Sequence, residues 1–338
     1  MVGLLAQRSA FHHLKGLPLL EVALLTVASM THKPKNMGLL RHRVLEQPRR
    51  MLRSLYSALP FGVAVRLARG KPDWAFYIGD RSRRVTIRDY LDSLSVTIDT
   101  SADIQRRMLS RTYDTEVLDV VQRFVPRGGT CVDVGANVGA HTLAMALRTG
   151  DSGVVHAVEP GPAFLERLRE NLHLNPQLAA RVVIHDFGLS DHEGTAQWQD
   201  SAHDPGTATM HWVDPKRQSR AVSITTLDRL ARDFSRLDLI KIDVDGMDHI
   251  VLRGAAETIA RHLPVIVFET TCCDAEQIAA AEEATSRLEK MGYRLYKMER
   301  GRLTATRFPQ LTMNTLAVPA CVALDGTRSP PDEFKKSA

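Results

Sequence analysis

The chain holds four cysteines in 338 residues, Cys131, Cys272, Cys273 and Cys321. They form no C-x-x-C pair, and no histidine cluster stands at zinc-ligand spacing, so neither a disulfide framework nor a zinc ribbon is written here. A reduced, cytoplasmic setting is the simplest expectation. No apolar run reaches the roughly twenty residues that a membrane span needs. The stretch from Leu17 to Ala28 comes nearest, but Glu21 interrupts it early, which suits a leader or an interfacial helix better than a cleaved signal peptide. Aromatics are scarce at 6% and no RNA-binding motif interleaves them with basic residues, so a nucleic-acid acceptor is not expected. Repeats and low-complexity tracts are lacking as well.

What is present is the composition of a soluble globular protein, with 25% charged and 44% apolar residues. The net charge of +5 hides an asymmetry: residues 1 to 88 carry sixteen Lys and Arg against four Asp and Glu. Met51, Leu52, Leu55 and Leu59 share one helical face there with basic residues opposite, a pattern that suits docking on a neighbouring domain or peripheral contact with an anionic membrane. The expected organisation is a basic, partly helical extension over 1–73, a small lead-in of short strands and a helix over 74–110, a main domain over 111–320, and a disordered tail over 321–338.

From Thr130 the pattern alternates. The runs TCVDV, VVHAV, RVVIHD, LDLIKID and PVIVFET are short and rich in β-branched residues, and most are separated by helical patterns. That is the form of buried parallel strands with crossover helices, an α/β domain. Helices are expected near 102 to 110, 115 to 125 and 162 to 173, the last with Pro162 in its first turn and Phe164, Leu165, Leu168 and Leu172 on one face. Between 195 and 225, TAQW, ATMHW and AVSIT are separated by DPG and DPK turns, which predicts an antiparallel excursion from the sheet.

The loop CVDVGANVGAHT, Cys131 to Thr142, follows the first of these strands. In a dinucleotide fingerprint counted from Gly135, the second and third glycines would fall on Asn137 and Ala140, so two of three are missing. Asp133 at the strand end would also repel a pyrophosphate. It would attract a cationic group, and S-adenosylmethionine has one in its α-ammonium, carries no phosphate, and offers a carboxylate to the amides at the next helix start. Glu159 ends the following strand twenty residues beyond Gly139, where an acidic side chain can accept both ribose hydroxyl protons. Asp186, at the end of the third strand, is placed to accept from the adenine amino group.

The blocks VDVGANVGAHTLAMA, VHAVEPGPAFLERLRENLHLN, VVIHDFGLSDHEGTAQW, ITTLDRL, LDLIKIDVDGMDHIVLRGA and PVIVFE resemble, in order and spacing, the FkbM-type S-adenosylmethionine-dependent methyltransferases over about residues 110 to 300. The resemblance implies a Rossmann-like class I methyltransferase fold, a mostly parallel seven-stranded sheet with helices on both faces, and O-methylation of a sugar, glycan, glycolipid or natural product. It carries the cofactor contacts to Asp133, Gly135, Asn137, Gly139 and Glu159, and to Asp186 more loosely. It also implies a tyrosine and an acidic residue near the cofactor, loosely matched by the segment Tyr113, Asp114, Thr115, Glu116. One departure stands out: the family's G-x-E after the fourth strand reads Gly246, Met247, Asp248 here.

An alcohol acceptor must lose its proton to a base or to a metal-activated route. Asp243 and Asp245 end the fourth predicted strand and Glu269 ends the fifth, and such strand ends border the ligand crevice of an open α/β sheet. Asp243 is expected beside the transferred methyl, with Asp245 or Glu269 as acceptor-side base. Together these carboxylates also suit magnesium, although their spacing does not demand it. Asp245 could instead cap the helix that begins near Met247. His185 and His249 read as structural or exposed residues, and Cys272 and Cys273 as packing residues. Two rival readings are a non-catalytic module of the same fold bound to a membrane or partner enzyme, and an NAD-dependent oxidoreductase, which the missing glycines disfavour.

Overall fold

The computed structural model describes residues 84–111, 113–201, 207–210, 214–270, 275–299, 301–308 and 314–328. The basic extension, the apolar face of Met51 to Leu59, the cysteine pair 272–273 and the end of the tail lie outside the described residues. Among the described residues, no helix is long and apolar enough to cross a membrane. The chain opens with a hairpin of β1 (Arg84–Tyr90) and β2 (Leu94–Asp99), then α1 (Asp103–Leu109) and α2 (Thr115–Phe124). Strands and helices then alternate: β3 (Thr130–Val134), α3 (Ala140–Thr149), β4 (Val154–Val158), α4 (Pro162–His173), the single turn α5 (Pro176–Ala179) and β5 (Val182–His185).

The excursion predicted over 195 to 225 is a separate small sheet of β6 (Gly188–Leu189), β7 (Gly194–Asp200), β8 (Ala208–Thr209) and β9 (Arg220–Thr225). Its order is β6-β9-β7-β8, with β7 antiparallel to both β8 and β9. The chain returns through α6 (Leu227–Leu230), β10 (Leu239–Ile242), α7 (Asp248–Arg253), α8 (Ala256–His262), β11 (Val265–Glu269) and α9 (Ala275–Lys290). It closes with β12 (Tyr293–Glu299), β13 (Arg302–Thr306) and β14 (Asn314–Pro319).

The main sheet runs β13-β12-β14-β11-β10-β3-β4-β5. The five strands from β11 to β5 are parallel, and β14 enters antiparallel between β11 and β12. Seven strands are expected and eight are found: Gly301, at φ +75°, turns the chain back after β12, so that β13 extends the edge as a hairpin. A glycine at a left-handed turn position carries no side-chain penalty there.

Period-two alternation sends successive strand residues to two cores. Cys131, Leu239, Val265 and Val267 pack on the side of α2 and α3, while Val132, Ile240, Ile266 and Phe268 pack on the side of α7 and α8. Helices therefore cover both faces, as parallel sheets require. Two polar residues share the first of these faces, Asp133 and Lys241, and they are register partners on neighbouring strands.

The hairpin is tied to the main domain by two buried asparagines of the α4 region. Asn171 Oδ1 accepts from Thr97 N at 2.7 Å and Asn175 Oδ1 from Ser95 N at 2.9 Å, so these amides on β2 find partners without another strand. Asn171 Nδ2 also donates to the Val138 carbonyl at 2.8 Å, which fixes the hairpin against the glycine loop.

Candidate active site

The carboxyl ends of β3, β4 and β10 open onto a cavity of about 680 Å³, its mouth included. This is where an open α/β sheet holds its ligands, because the loops diverge there. Val134 and Gly135 come from the β3 end, Glu159 and Pro160 from the β4 end, and Asp243, Val244 and Asp245 from the β10 end. Trp198 of β7, Ala208 of β8 and Met210 form the wall contributed by the small sheet, and Ile104 and Tyr113 come from the lead-in.

The glycine loop is shaped by its own hydrogen bonds. Gly135 N and Ala136 N both donate to the Val158 carbonyl at 3.0 Å, and Asn137 N donates to Glu159 Oε2 at 2.8 Å. Gly135 has φ +74°, and a Cβ there would lie 2.1 Å from the Asp243 carbonyl oxygen, so only glycine fits. Asn137 takes φ +50°, a region that asparagine tolerates better than most residues. Gly139 does not line the cavity. It precedes α3 at φ +92°, and a Cβ there would meet Leu168 Cδ1 at 2.6 Å, so its role is close packing of helix on helix.

Glu159 is 3% exposed and borders the cavity. Its second oxygen, Oε1, accepts from Gly161 N at 2.8 Å, and its own amide donates to the His185 carbonyl at 3.0 Å. Burial pushes its carboxyl up to about 7, against the two amides, which favour the anion. Each oxygen holds one amide and keeps a lone pair for a ligand hydroxyl.

The role expected of Asp133 is corrected. Its carboxylate is fully buried and does not line the cavity. Thr142 Oγ1 donates to Oδ2 at 2.5 Å, and Lys241 Nζ stands 3.3 Å from Oδ1, so an internal ammonium already occupies the place assigned to the ligand's. The same Nζ is 3.4 Å from Asp243 Oδ2 and donates to the Gly135 carbonyl at 3.0 Å. Burial alone would push this lysine down, but the charges of Asp133, Asp243 and Asp114 outweigh it and raise it above an ordinary lysine. Lys241 has a signal in the sequence: it is the one charged residue inside the otherwise apolar strand LIKI.

Asp243 is where the charge reaches the cavity, with its side chain 34% exposed. Asp245 stands at the rim with φ +48°, and burial together with the charge of Asp243 raises its carboxyl to about 6. It does not cap the next helix, since α7 begins at Asp248 behind Met247 with no side-chain cap. Asp248 is 2% exposed, and its Oδ1 accepts from Glu269 N at 2.7 Å and its Oδ2 from Val244 N at 3.4 Å. Burial, then the charge of Asp243, pushes it up to about 8. This carboxyl therefore splices the loops after β10 and β11, which is the work done at the position where the resemblance expects a glutamate.

Glu269 is not brought to the main cavity. It lines a smaller pocket of about 300 Å³ with His249, Gly246 and Gln277, so Asp245 alone of the two expected bases faces the site. Among the described residues no three of His, Cys, Asp and Glu converge to hold a metal ion. Asp186 is exposed and lies outside the cavity lining, so its expected contact with an adenine is not formed by this geometry. His185 shares a 3.0 Å hydrogen bond with His156, whose imidazole stacks 4.3 Å from Phe234 and is lowered to about 4 by burial. That pair is structural.

The apolar walls are a feature that sequence reasoning misses. Trp198 is 7% exposed, its Nε1 donates to Asp200 Oδ1 at 3.0 Å, and Phe164 meets it edge-on with centroids 6.1 Å apart. Tyr113 stacks on the buried His141 at 5.2 Å, and burial raises its hydroxyl well above an ordinary tyrosine. Asp114 lies behind it, 3.7 Å from His141 Nε2, and is raised to about 6 by burial and then by Asp243.

Residues 133–295 match the family model described as the methyltransferase FkbM domain. "Methyltransferase 1" of Beauveria bassiana is 27% identical over 151 residues, which cover 38% of this chain and 59% of that protein. "Methyltransferase sdnD" of Sordaria araneosa is 26% identical over 177 residues, covering 43% of this chain and 68% of its own length. The chain thus spans about three fifths to two thirds of the curated relatives it matches. Among solved structures, a methyltransferase FkbM from Methylobacillus flagellatus is 17% identical, with a TM-score of 0.41, over 63% of this chain and 52% of that one.

Proposed function

We propose, from the premise that residues 133–295 are an FkbM methyltransferase domain, that the protein transfers a methyl group from S-adenosylmethionine to a hydroxyl of a small molecule or glycan. The observation that carries this reading is the charge of the cavity. Its lining includes the carboxylates Glu159, Asp243 and Asp245, and no Lys or Arg among the described residues. A pyrophosphate would be repelled at close range in such a site, whereas a phosphate-free nucleoside with a cationic end is attracted. The discrimination first assigned to Asp133 thus passes to the carboxylates of the cavity wall.

The residues present fit that ligand. Glu159 would accept from the ribose hydroxyls, the apolar wall of Trp198 and Phe164 suits a nucleobase, and Asp243 faces the cationic end. When bound, S-adenosylmethionine supplies an electrophilic methyl whose leaving group needs no acid. What the chain must add is alignment, which contributes on the order of 7–11 kcal/mol where geometry is ideal. Asp245 at the rim would take the acceptor's hydroxyl proton, and a carboxyl raised to about 6 is better matched to that work near neutral pH than an ordinary aspartate. Magnesium is not required by this reading, in which Glu269 lines a different pocket from Asp243 and Asp245.

Calorimetry of the full chain with S-adenosylhomocysteine and, separately, with NADH tests the proposal. S-adenosylhomocysteine should bind and NADH should not; the reverse would overturn it. Binding without methylation of any hydroxylated compound in a metabolite extract, with Asp245→Asn no different from wild type, would instead favour a non-catalytic module.

A further inference from the structure

Asp243 is crowded by charges of its own sign. Its field is felt by Asp114 and Tyr113 from the segment before α2, by Asp245 in its own loop, and by Asp248 at the start of α7. Asp133 lies on the neighbouring strand β3, sharing with Asp243 the ammonium of Lys241. Among the described residues, Lys241 is the cation at ion-pair distance from Asp243. His141, the other basic group nearby, is held neutral because burial lowers it well below an ordinary histidine.

The ammonium is not free to follow Asp243. Its side chain is 4% exposed, and Nζ is fixed from three sides by Asp133 Oδ1 at 3.3 Å, the Gly135 carbonyl at 3.0 Å and the Val134 carbonyl at 3.5 Å. Asp133 is fixed in turn by Thr142. A rigid cation therefore meets a carboxylate that is one third exposed to the cavity.

We infer that Lys241 is a positioning residue of the proposed transferase site: anchored by Asp133 and the glycine loop, its ammonium holds the Asp243 carboxylate in place to receive the cationic end of the ligand. The inference rests on the proposed function and adds to it. It assigns Asp133 and Lys241 to one device, in which the buried aspartate fixes the lysine and the lysine fixes the aspartate on the cavity wall. Removing the ammonium should therefore weaken the hold on the ligand's cationic end and leave the hold on its nucleoside unchanged.

The test compares affinities for S-adenosylhomocysteine and for adenosine across about pH 5 to 9. Both ligands carry the ribose, so the pH dependence of Glu159 cancels in their ratio, which reports only on the amino-acid end. The double variant Lys241→Met with Asp133→Asn removes the ion pair without stranding a buried charge, and the amide oxygen can still accept from Thr142. The preference for S-adenosylhomocysteine over adenosine should fall roughly tenfold or more, with the affinity for adenosine unchanged. Asp133→Asn alone removes the anchor of the ammonium and should lower the same ratio. Should the double variant fail to fold, the single variant still decides the sign.

A folded double variant that keeps the wild-type ratio would overturn the inference, as would a raised ratio in Asp133→Asn. An equal loss of affinity for both ligands would also overturn it, since that marks a purely structural lysine. Failure of the wild-type chain to bind S-adenosylhomocysteine at all would instead refute the proposed function.

Discussion

Glu159→Gln isolates the group on which the proposed nucleoside recognition depends. In the wild-type chain both carboxylate oxygens accept a backbone amide, from Asn137 and from Gly161. A glutamine has one oxygen and one NH2, so whichever way it turns it sets a donor against one of those amides and loses one ribose hydroxyl. A hydrogen bond to a charged acceptor contributes about 1.5–3 kcal/mol, which predicts a roughly 10- to 150-fold loss of affinity for S-adenosylhomocysteine at about pH 8. Below about pH 7 the gap should narrow. The Glu159 carboxyl is raised to about 7, and hydroxyl donors prefer its anion, so wild-type affinity should fall about tenfold per unit as pH drops below that value, while the glutamine variant stays flat.

Stability should move in the opposite sense. A carboxyl raised in the folded state contributes stability that is present in acid and is lost as pH rises from its ordinary value of 4.5 through about 7. For this buried group the loss is of the order of 3 kcal/mol in the ligand-free protein, and the variant lacks it. Calorimetric titrations from about pH 5 to 8.5, paired with thermal denaturation at each pH, read both effects. Equal affinity of the two proteins at the alkaline end, or a wild-type affinity that does not change across neutrality, would refute the reasoning.

Three further outcomes are expected. Gly135→Ala forces a Cβ to within 2.1 Å of the Asp243 carbonyl at φ +74°, so thermal denaturation should show a loss of about 3 kcal/mol or more, with ligand binding reduced as the Asp243 loop is displaced. Asp248→Asn keeps an acceptor for the Glu269 amide and should be tolerated at neutral pH; it should also escape the stability that the wild-type chain loses as pH rises from the ordinary aspartate range through about 8. Asp248→Ala strands two amides and should cost about 1–3 kcal/mol in chemical denaturation. Asp245→Asn should bind S-adenosylhomocysteine as the wild type does, yet lose roughly 10²–10⁴-fold in methylation rate once an acceptor is found, and the wild-type rate should show an acid limb near pH 6.

The elements with the clearest periodicity are legible in the sequence. TCVDV, VVHAV and the helix 162–173 lie where their patterns place them, because β-branched runs between turn signals and a 3.6-residue apolar stripe each admit one geometry. The place of Glu159 on the cavity wall just after β4 is legible for the same reason, as a strand-end carboxylate at a fixed distance from the glycine loop. Asp133 misleads because a strand-end position does not reveal which face a side chain takes or what lies across from it. Its partner Lys241 is far away in sequence and adjacent in space. Glu269 ends a strand, as a site residue would, yet it lines a separate pocket beside His249, and the strand pattern does not reveal which pocket a strand-end side chain enters. The walls of Trp198, Phe164 and Met210 are invisible along the chain because they come from separate segments of it, and apolar residues carry no chemical signature until they converge.

The register partnership of Lys241 and Asp133 also bears on how the sheet assembles. Parallel strands buried on both faces read as nearly continuous apolar runs, so sliding LIKI by one residue past TCVDV would still set hydrocarbon against hydrocarbon. The hydrophobic pattern alone barely distinguishes the native alignment from its neighbours. A slipped strand, however, would carry an ammonium to the opposite face, away from Asp133, and leave each charge in the interior without its counterpart. Breaking a buried pair in that way costs about 3–5 kcal/mol, a large part of the stability of a typical domain. The two central strands are thereby keyed to a single alignment by one charged tooth and its notch.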